Sequence, residues 1–227
     1  MTNGQQRTLD AVKGRLVYVV GASGVGKDAL LNYARANLAP NAEVRFAQRW
    51  ITRPATAGGE DHRPLSAEQF ALMEAAGRFA MAWRANGNAY GIDSEICAWL
   101  AQGQTVVVSG SREYLPQALR DFPQLVLVNV TADPSLLAGR LERRAREVPV
   151  EIERRLKRGL RFGGAQYAVP TGVAAVEIRN DGAPEVAGEA LLGVLLGSVP
   201  VMSRPAFTGP GPQPADPACP PIPPPRR

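Results

Sequence analysis

The sequence predicts an α/β fold in which a mostly parallel β-sheet is covered by helices on both faces. Short apolar runs rich in β-branched residues alternate with segments bounded by helix start and stop signals, the pattern of a doubly covered parallel sheet. A glycine-rich loop joins the first of these strands to the first helix. With 45% hydrophobic residues, the 227-residue chain can bury one core and carry a small inserted lobe.

The first half of the chain is predicted to form four strands and two helices. The strands are Arg15–Val20, Glu43–Gln48, Phe79–Arg84 and the stretch around Tyr90, with a turn at Asn86-Gly87-Asn88 between the last two. The helices run from Gly26 to Leu38 and from Ser66, which forms a capping-box pattern with Gln69, to about Ala76. Residues 49–65 are polar and contain prolines and glycines, so we expect a loop there.

In the second half the alternation of strands and helices continues. The predicted strands are Thr105–Ser109, Leu125–Thr131 and Ala174–Ile178. The predicted helices are Ile92–Gln102, Leu115–Phe122, Pro134–Arg146, Val150–Phe162 and Pro184–Leu196. Asp133 is the expected N-cap of the third of these helices, because Pro134 suits the first helical position.

Composition also suggests how the chain is divided. Half of its 20 prolines fall between Ser203 and Arg227, a segment that cannot form a packed element. We expect an N-terminal extension at 1–14, one domain at 15–200 and a disordered proline-rich tail at 201–227. Within the domain, a substrate lobe is expected at about 49–92 and a lid at about 140–155.

The bulk properties argue against several classes of function. The formal charge is +5, but the arginines between 140 and 161 alternate with glutamates and no aromatic residue stands among them, so we expect no nucleic-acid partner. No apolar run is long enough to span a membrane, and the N-terminus lacks a secretory signal. The two cysteines, Cys97 and Cys219, lie far apart, so we expect no disulfide framework. A cytoplasmic protein with a small-molecule substrate is predicted, with a homodimer left open.

The glycine-rich loop predicts a nucleotide site. It reads Gly21-Ala22-Ser23-Gly24-Val25-Gly26-Lys27, at the strand-to-helix junction where a Walker A phosphate loop belongs. Inward-turned backbone N–H groups and the helix N-terminus attract phosphate, and Lys27 can reach the β- and γ-phosphates of ATP. We therefore expect a three-layer sandwich of the P-loop NTPase type with ATP and Mg²⁺ as cofactors.

The next residue departs from the usual loop. Asp28 occupies the position where a serine or threonine hydroxyl normally meets Mg²⁺. A carboxylate is a good Mg²⁺ ligand, but it adds negative charge beside a polyphosphate. Either Asp28 binds the metal, directly or through water, or the site is degraded. Metal binding is favoured because the rest of the loop is intact.

The segment after the second strand supplies candidates for an acceptor site. Arg53 is suited to a phosphate dianion, with Glu60 following in the same loop. Tyr90 is either a second phosphate contact or a packed strand residue. His62, the one histidine, is as consistent with a surface position as with a functional one.

An arginine-rich break between two predicted helices suggests a lid that closes over transferring phosphates. The predicted catalytic residues are Lys27 together with four arginines of this segment, Arg140, Arg144, Arg146 and Arg155. A solvated charged helix pair is the alternative for any single arginine. No general base is evident, which fits an acceptor whose attacking oxygen is already anionic.

These residues resemble the guanylate-kinase superfamily over most of 15–196. The matching segments are the phosphate loop, Thr52-Arg53-Pro54, Gly87-Asn88-Ala89-Tyr90-Gly91, the lid pattern and Arg179-Asn180-Asp181. The resemblance implies that Asn180 and Asp181 lie near the adenine. It breaks at the guanine-reading positions, which fall at Met81 and Ile92 and cannot hydrogen-bond a base.

A narrower resemblance, to the ribose 1,5-bisphosphate phosphokinase family, accounts for more residues. It rests on Gly-Lys-Asp in the phosphate loop, Ile51-Thr52-Arg53-Pro54, Gly59-Glu60-Asp61-His62, Tyr90-Gly91, Ser109-Gly110-Ser111-Arg112 and 144–147. It implies transfer of the ATP γ-phosphate to ribose 1,5-bisphosphate, giving 5-phosphoribosyl 1-diphosphate and ADP in phosphonate catabolism. Arg112 is then a candidate second phosphate contact. The alternatives are a guanylate kinase, a kinase of another phosphorylated metabolite or nucleotide, and an inactive guanylate-kinase-like binding module.

Overall fold

The computed structural model describes residues 14–54, 61–143, 172–198 and 202–203. Its first half contains β1 (Arg15–Gly21), α1 (Lys27–Asn37), β2 (Val44–Phe46), β3 (Arg49–Ile51), β4 (His62–Pro64), α2 (Ala67–Ala75), β5 (Phe79–Ala85), β6 (Asn88–Asp93) and α3 (Glu95–Ala101). Its second half contains β7 (Thr105–Ser109), α4 (Leu115–Asp121), β8 (Val126–Thr131), α5 (Pro134–Arg143), β9 (Ala174–Arg179), α6 (Pro184–Leu195) and β10 (Met202–Ser203).

The central sheet confirms the predicted fold class. Its strand order is β10-β9-β8-β1-β7-β2, and every neighbouring pair is parallel except β10 with β9. Strand β1 lies between β7 and β8 and is buried from Leu16 to Val20, because the sheet is covered on both faces. Val17 and Val19 pack into one core, whereas Tyr18 and Val20 pack into the other.

A second sheet forms the inserted lobe. Its order is β4-β3-β6-β5, and β5 and β6 form the predicted hairpin. Asn86 and Gly87 have φ of 50° and 73°, the left-handed conformations that a tight hairpin turn requires. The loop prediction for residues 49–65 is wrong at both ends, since β3 and β4 lie there and pair in parallel.

The start of α3 also differs from the prediction. The helix was expected from Ile92, but Ile92 and Asp93 belong to β6, and Asp93 accepts a hydrogen bond from the Glu95 backbone N–H at 3.1 Å. Two other helix signals are confirmed. Ser66 and Gln69 form a complete capping box on α2, and the Asp133 carboxylate accepts from the Ser135 backbone N–H at 2.9 Å at the start of α5.

The structure also bears on the expectations about membrane-spanning helices and cysteines. In the described ranges no helix is both long and apolar enough to cross a membrane. The expectation about the cysteines is wrong, because Cys97 is disulfide-bonded. The cysteine pattern therefore lends no support to a cytoplasmic location. The predicted helix at 150–162 lies outside the described residues.

The two ends of the described core are tied together by Arg15. Its guanidinium donates hydrogen bonds to the backbone carbonyls of Val194 at 2.7 Å and Leu195 at 2.6 Å, at the C-terminal end of α6. A cation at this position satisfies carbonyl groups that the helix itself cannot pair. The last helix is thereby held against the first strand, with the phosphate loop at the opposite end of β1.

Candidate active site

The phosphate loop lies between the carboxyl end of β1 and the first turn of α1, where parallel α/β sheets bind their ligands. The residue at the N-cap of α1 is Gly26, with φ 94°, and it places no side chain over the helix N-terminus. Gly24 is also left-handed, with φ 83°. The backbone therefore turns as a phosphate-binding loop requires, and the helix end is open to an anion.

Lys27 folds back over this loop. Its ammonium group donates to the carbonyl oxygen of Gly21 at 2.9 Å and to that of Ala22 at 3.3 Å. These contacts hold the charge above the turn through which a polyphosphate would pass. Ser23 and Val25 complete the predicted loop, with Val25 almost fully buried against the core.

Asn180 hydrogen-bonds to the backbone of the phosphate loop. Its side chain is 4% exposed, and its Nδ2 donates to the carbonyl oxygen of Val25 at 2.8 Å. The Asn180 Oδ1 atom is also buried and has no hydrogen-bond partner among the described residues. A methyl group at Gly26 would lie 2.5 Å from Asn180 Nδ2. The structure thus brings Asn180 directly against the phosphate loop.

Asp181 makes a different set of contacts. Its carboxylate accepts from the Asp133 backbone N–H at 2.6 Å and pairs with the Arg179 guanidinium. The hydrogen bond from Arg179, followed by that from Asp133, lowers the pKa of Asp181, with a smaller contribution from the charge of Arg140. Asp181 therefore joins β9 to the start of α5, and Arg140 approaches the same corner.

Asp28 and Arg49 form an ion pair between the phosphate-loop helix and the lobe. Asp28 lies in the first turn of α1, and its Oδ1 is 3.4 Å from Nη2 of Arg49, the first residue of β3. The Arg49 side chain is 12% exposed and also donates to the Ser109 carbonyl at the end of β7, at 3.3 Å. Burial lowers the pKa of Arg49, and the charge of Asp28 opposes that shift.

Arg49 is a residue that the sequence analysis missed. It falls in the predicted loop, where Arg53 is the one arginine proposed as a phosphate contact. The available signal was a second arginine four residues before Arg53, directly after a predicted strand. In the structure the charge of Arg53 makes a small contribution to lowering the pKa of Arg49, after the larger effect of burial.

Tyr90 and His62 shape the wall of the lobe. Tyr90 is 8% exposed and stacks on Trp83, with ring centroids 5.4 Å apart, while the Arg49 guanidinium lies 6.0 Å from its ring centroid. His62 is buried, and its Nε2 lies 3.0 Å from the Arg53 carbonyl oxygen. The histidine is thus part of the lobe that positions Arg53 rather than a surface residue.

The remaining predicted residues divide into two groups. Arg112 is half-buried in the turn after β7, and the preceding Ser111 is held by Tyr18, whose hydroxyl accepts from the Ser111 N–H at 3.0 Å. Arg140 is partly buried on α5, with one guanidinium nitrogen lacking a hydrogen-bond partner in the described part of the chain. Four predicted site residues lie outside the described residues, namely Glu60, Arg144, Arg146 and Arg155.

Comparison with solved structures supports the fold. The chain superimposes on guanylate kinase from Anaplasma phagocytophilum with a TM-score of 0.56, covering 82% of this chain and 86% of that one at 13% sequence identity. At that identity the likeness concerns architecture alone. A scan against protein-family models gives no match.

Curated sequences give a much closer relationship. The ribose 1,5-bisphosphate phosphokinase PhnN of Chromobacterium violaceum is 50% identical over 184 residues, covering 81% of this chain and 95% of that protein. The same-named proteins of Burkholderia pseudomallei and Rhizobium etli are 46% and 42% identical, covering 81% and 87% of this chain and 96% and 97% of their own. The chain therefore belongs to the ribose 1,5-bisphosphate phosphokinase family.

Proposed function

We propose that this chain transfers the γ-phosphate of ATP to the 1-phosphate of ribose 1,5-bisphosphate, giving 5-phosphoribosyl 1-diphosphate and ADP. The proposal depends on one observation, namely that two anion-binding elements face each other across a cleft. One is the phosphate loop with Lys27, and the other is the lobe wall with Arg53, which Arg49 joins to the loop helix through Asp28. Family membership supplies the acceptor.

The proposed reaction needs positioning and charge neutralisation more than proton transfer. An oxygen of the acceptor 1-phosphate attacks the γ-phosphorus of ATP, a new P–O bond forms, and the bond to the β-phosphate oxygen breaks as ADP leaves. Because the attacking oxygen is already anionic, no general base is needed. Lys27 neutralises the β- and γ-phosphates, and the lid arginines Arg140, Arg144, Arg146 and Arg155 are proposed to neutralise the transferring group.

On the acceptor side, we assign the sugar bisphosphate to the lobe. Arg53, Tyr90, Glu60 and Arg112 are the proposed contacts, with Arg53 and Arg112 on phosphate groups. Asn180 is assigned to the nucleotide side because it holds the loop at Val25 and presents a buried oxygen that no described residue hydrogen-bonds. Asp181 is likewise proposed as a residue of the nucleotide site.

Asp28 is the proposed Mg²⁺ ligand. The donor chemistry fits, since Mg²⁺ in kinases is held by one or two carboxylates together with substrate phosphates. Asp28 is 31% exposed at the mouth of the loop, and one of its oxygens contacts Arg49, which leaves the other for the ion. When bound, Mg²⁺ would offset charge on the β- and γ-phosphates.

Guanylate kinase activity is the competing candidate, favoured by the structural neighbour. It is opposed by the lobe itself, since the two positions that would read guanine are apolar and buried. Met81 is 1% exposed and Ile92 is 0% exposed, and both belong to the core beneath the lobe. Side chains in that setting offer a base no hydrogen bonds, which are the main source of discrimination. A non-catalytic binding module would have no need of Lys27.

The decisive experiment measures ADP release from Mg-ATP with ribose 1,5-bisphosphate and guanosine monophosphate as parallel acceptors. We expect turnover with the sugar bisphosphate, with 5-phosphoribosyl 1-diphosphate as the product, and rates with the nucleotide at least a hundredfold lower, on the order of what missing base contacts impose. Turnover with guanosine monophosphate alone would refute the proposed acceptor. Absence of nucleotide binding in any condition would refute the kinase assignment altogether.

Substitution of Asp28 by asparagine tests the metal assignment. We expect the Mg²⁺ concentration needed for half-maximal activity to rise by about tenfold to a hundredfold, as for lost metal contacts elsewhere. The dissociation constant for ATP in EDTA should change by less than about threefold, because no metal is present to lose. Asp121→Asn, on α4 far from the loop, is the control. Equal effects with and without Mg²⁺ would contradict the role.

A further inference from the structure

A carboxylate in the first turn of α1 creates an electrostatic problem. Asp28 lies beside the loop that must receive a polyphosphate, and two negative charges at such short range repel each other. A neutral hydroxyl at this position would create no such repulsion. Some group in the fold must therefore offset the charge of Asp28, in addition to any ion that arrives with the nucleotide.

Arg49 is placed to do so. Its guanidinium is 3.4 Å from Asp28 Oδ1 and is held in place by the Ser109 carbonyl at 3.3 Å. An arginine stays charged even where burial lowers its pKa, so a positive charge is fixed at this point. Burying a guanidinium is unfavourable unless a counter-charge is present, and Asp28 provides one.

The pair also connects two parts of the enzyme. Asp28 belongs to the phosphate loop helix, whereas Arg49 begins the first strand of the lobe. Ligating carboxylates are commonly oriented by a hydrogen bond to one of their oxygens, and the contact to Oδ1 is of that kind. The geometry thus gives Arg49 a role on the nucleotide side of the cleft, although it lies in the lobe.

We infer that Arg49 is a positioning residue for Asp28, which offsets its charge and orients its carboxylate so that the altered phosphate loop accepts a nucleotide. The inference rests on the nucleotide-binding part of the proposed function and does not depend on the identity of the acceptor. It predicts that neutralising Asp28 compensates for the loss of Arg49. Once Asp28 is neutral, the loop no longer needs Arg49.

The test is a double-mutant cycle read by ADP binding in EDTA. We expect Arg49→Met to weaken ADP binding by about tenfold to thirtyfold, as for an uncompensated charge near the surface. Asp28→Asn should bind ADP at least as tightly as the wild type. The double variant should return to within about threefold of Asp28→Asn. Because Arg49 is buried, Arg49→Lys serves as a second variant that keeps the charge but loses the two-nitrogen fork, and it should bind ADP more tightly than Arg49→Met.

The matched control is Arg84→Met, which removes an exposed lobe arginine paired with Glu74 and should leave ADP binding unchanged. If the double variant bound ADP as weakly as Arg49→Met, the inference would be overturned. Arg49 would then contact the ligand itself or serve only the fold. Normal binding by Arg49→Met would overturn it equally. A wild-type chain that fails to bind ADP would instead overturn the proposed function, and the inference with it.

Discussion

Substitution of Lys27 by methionine is expected to lower kcat by roughly a thousandfold, the upper range for losing one preorganised charge at a reacting group. The ammonium group lies over the phosphate loop, 2.9 Å from the Gly21 carbonyl and 3.3 Å from that of Ala22. Methionine has a similar length but can neither neutralise phosphate nor donate hydrogen bonds. The measurement is steady-state ADP release with saturating Mg-ATP and ribose 1,5-bisphosphate.

A suitable control for this prediction lies on the same helix. Arg35→Met removes one positive charge from an exposed side chain of α1, eight residues further along the chain, and should leave kcat within about threefold of the wild type. The melting temperature should be similar in the two variants. Retention of more than about a tenth of wild-type activity by Lys27→Met would show that the lysine is not the phosphate contact.

The second large effect is expected from Gly26→Ala. Gly26 has φ 94°, which strains any other residue, and its added methyl group would lie 2.5 Å from Asn180 Nδ2. The Asn180 amide would have to leave the Val25 carbonyl, so the loop would lose the contact that sets its shape. We expect kcat/KM for ATP to fall by about a hundredfold, since small misplacements at a reacting group have effects of this size.

The contribution of backbone strain to this effect can be separated from that of the collision. Gly87→Ala introduces the same kind of strain at φ 73°, but its methyl group would meet no neighbouring atom of the described residues within 4 Å. It should lower stability by about 1–2 kcal/mol and leave kcat/KM for ATP within about threefold of the wild type. Similar kinetic losses in both variants would argue that the Asn180 contact is unimportant.

Much of the central sheet could be predicted because its strands have a strong local signal. The strand Thr105–Ser109 was predicted with its observed bounds, since it is a continuous apolar run with clear breaks on either side. The lobe strands β3 and β4 were missed for a physical reason. Each has three residues, and β4 ends in Pro64 at the edge of its sheet. Strand β3 forms by pairing with distant residues of β6, and β4 forms by pairing with β3, so neither depends mainly on local sequence.

The site could be predicted to a similar extent. The phosphate loop follows from its own spacing, and the observed turn confirms the strand-to-helix context that the motif requires. Arg49 could not be found in this way, because its importance comes from its burial against Asp28, 21 positions earlier in the chain. The contact of Asn180 with Val25 is equally non-local, and it emerges only from the parallel pairing of β8 with β9.

The same contact bears on the order in which the protein can become functional. Asn180 contacts the phosphate loop at Val25, which lies 155 positions earlier in the chain. Arg15 donates to the end of α6, a contact of similarly long sequence separation. Contacts of such long sequence separation form late in folding. A growing chain therefore carries an incomplete nucleotide site until β9 and α6 have left the ribosome. Nucleotide can stabilise the finished domain by mass action, but it cannot assist the early intermediates.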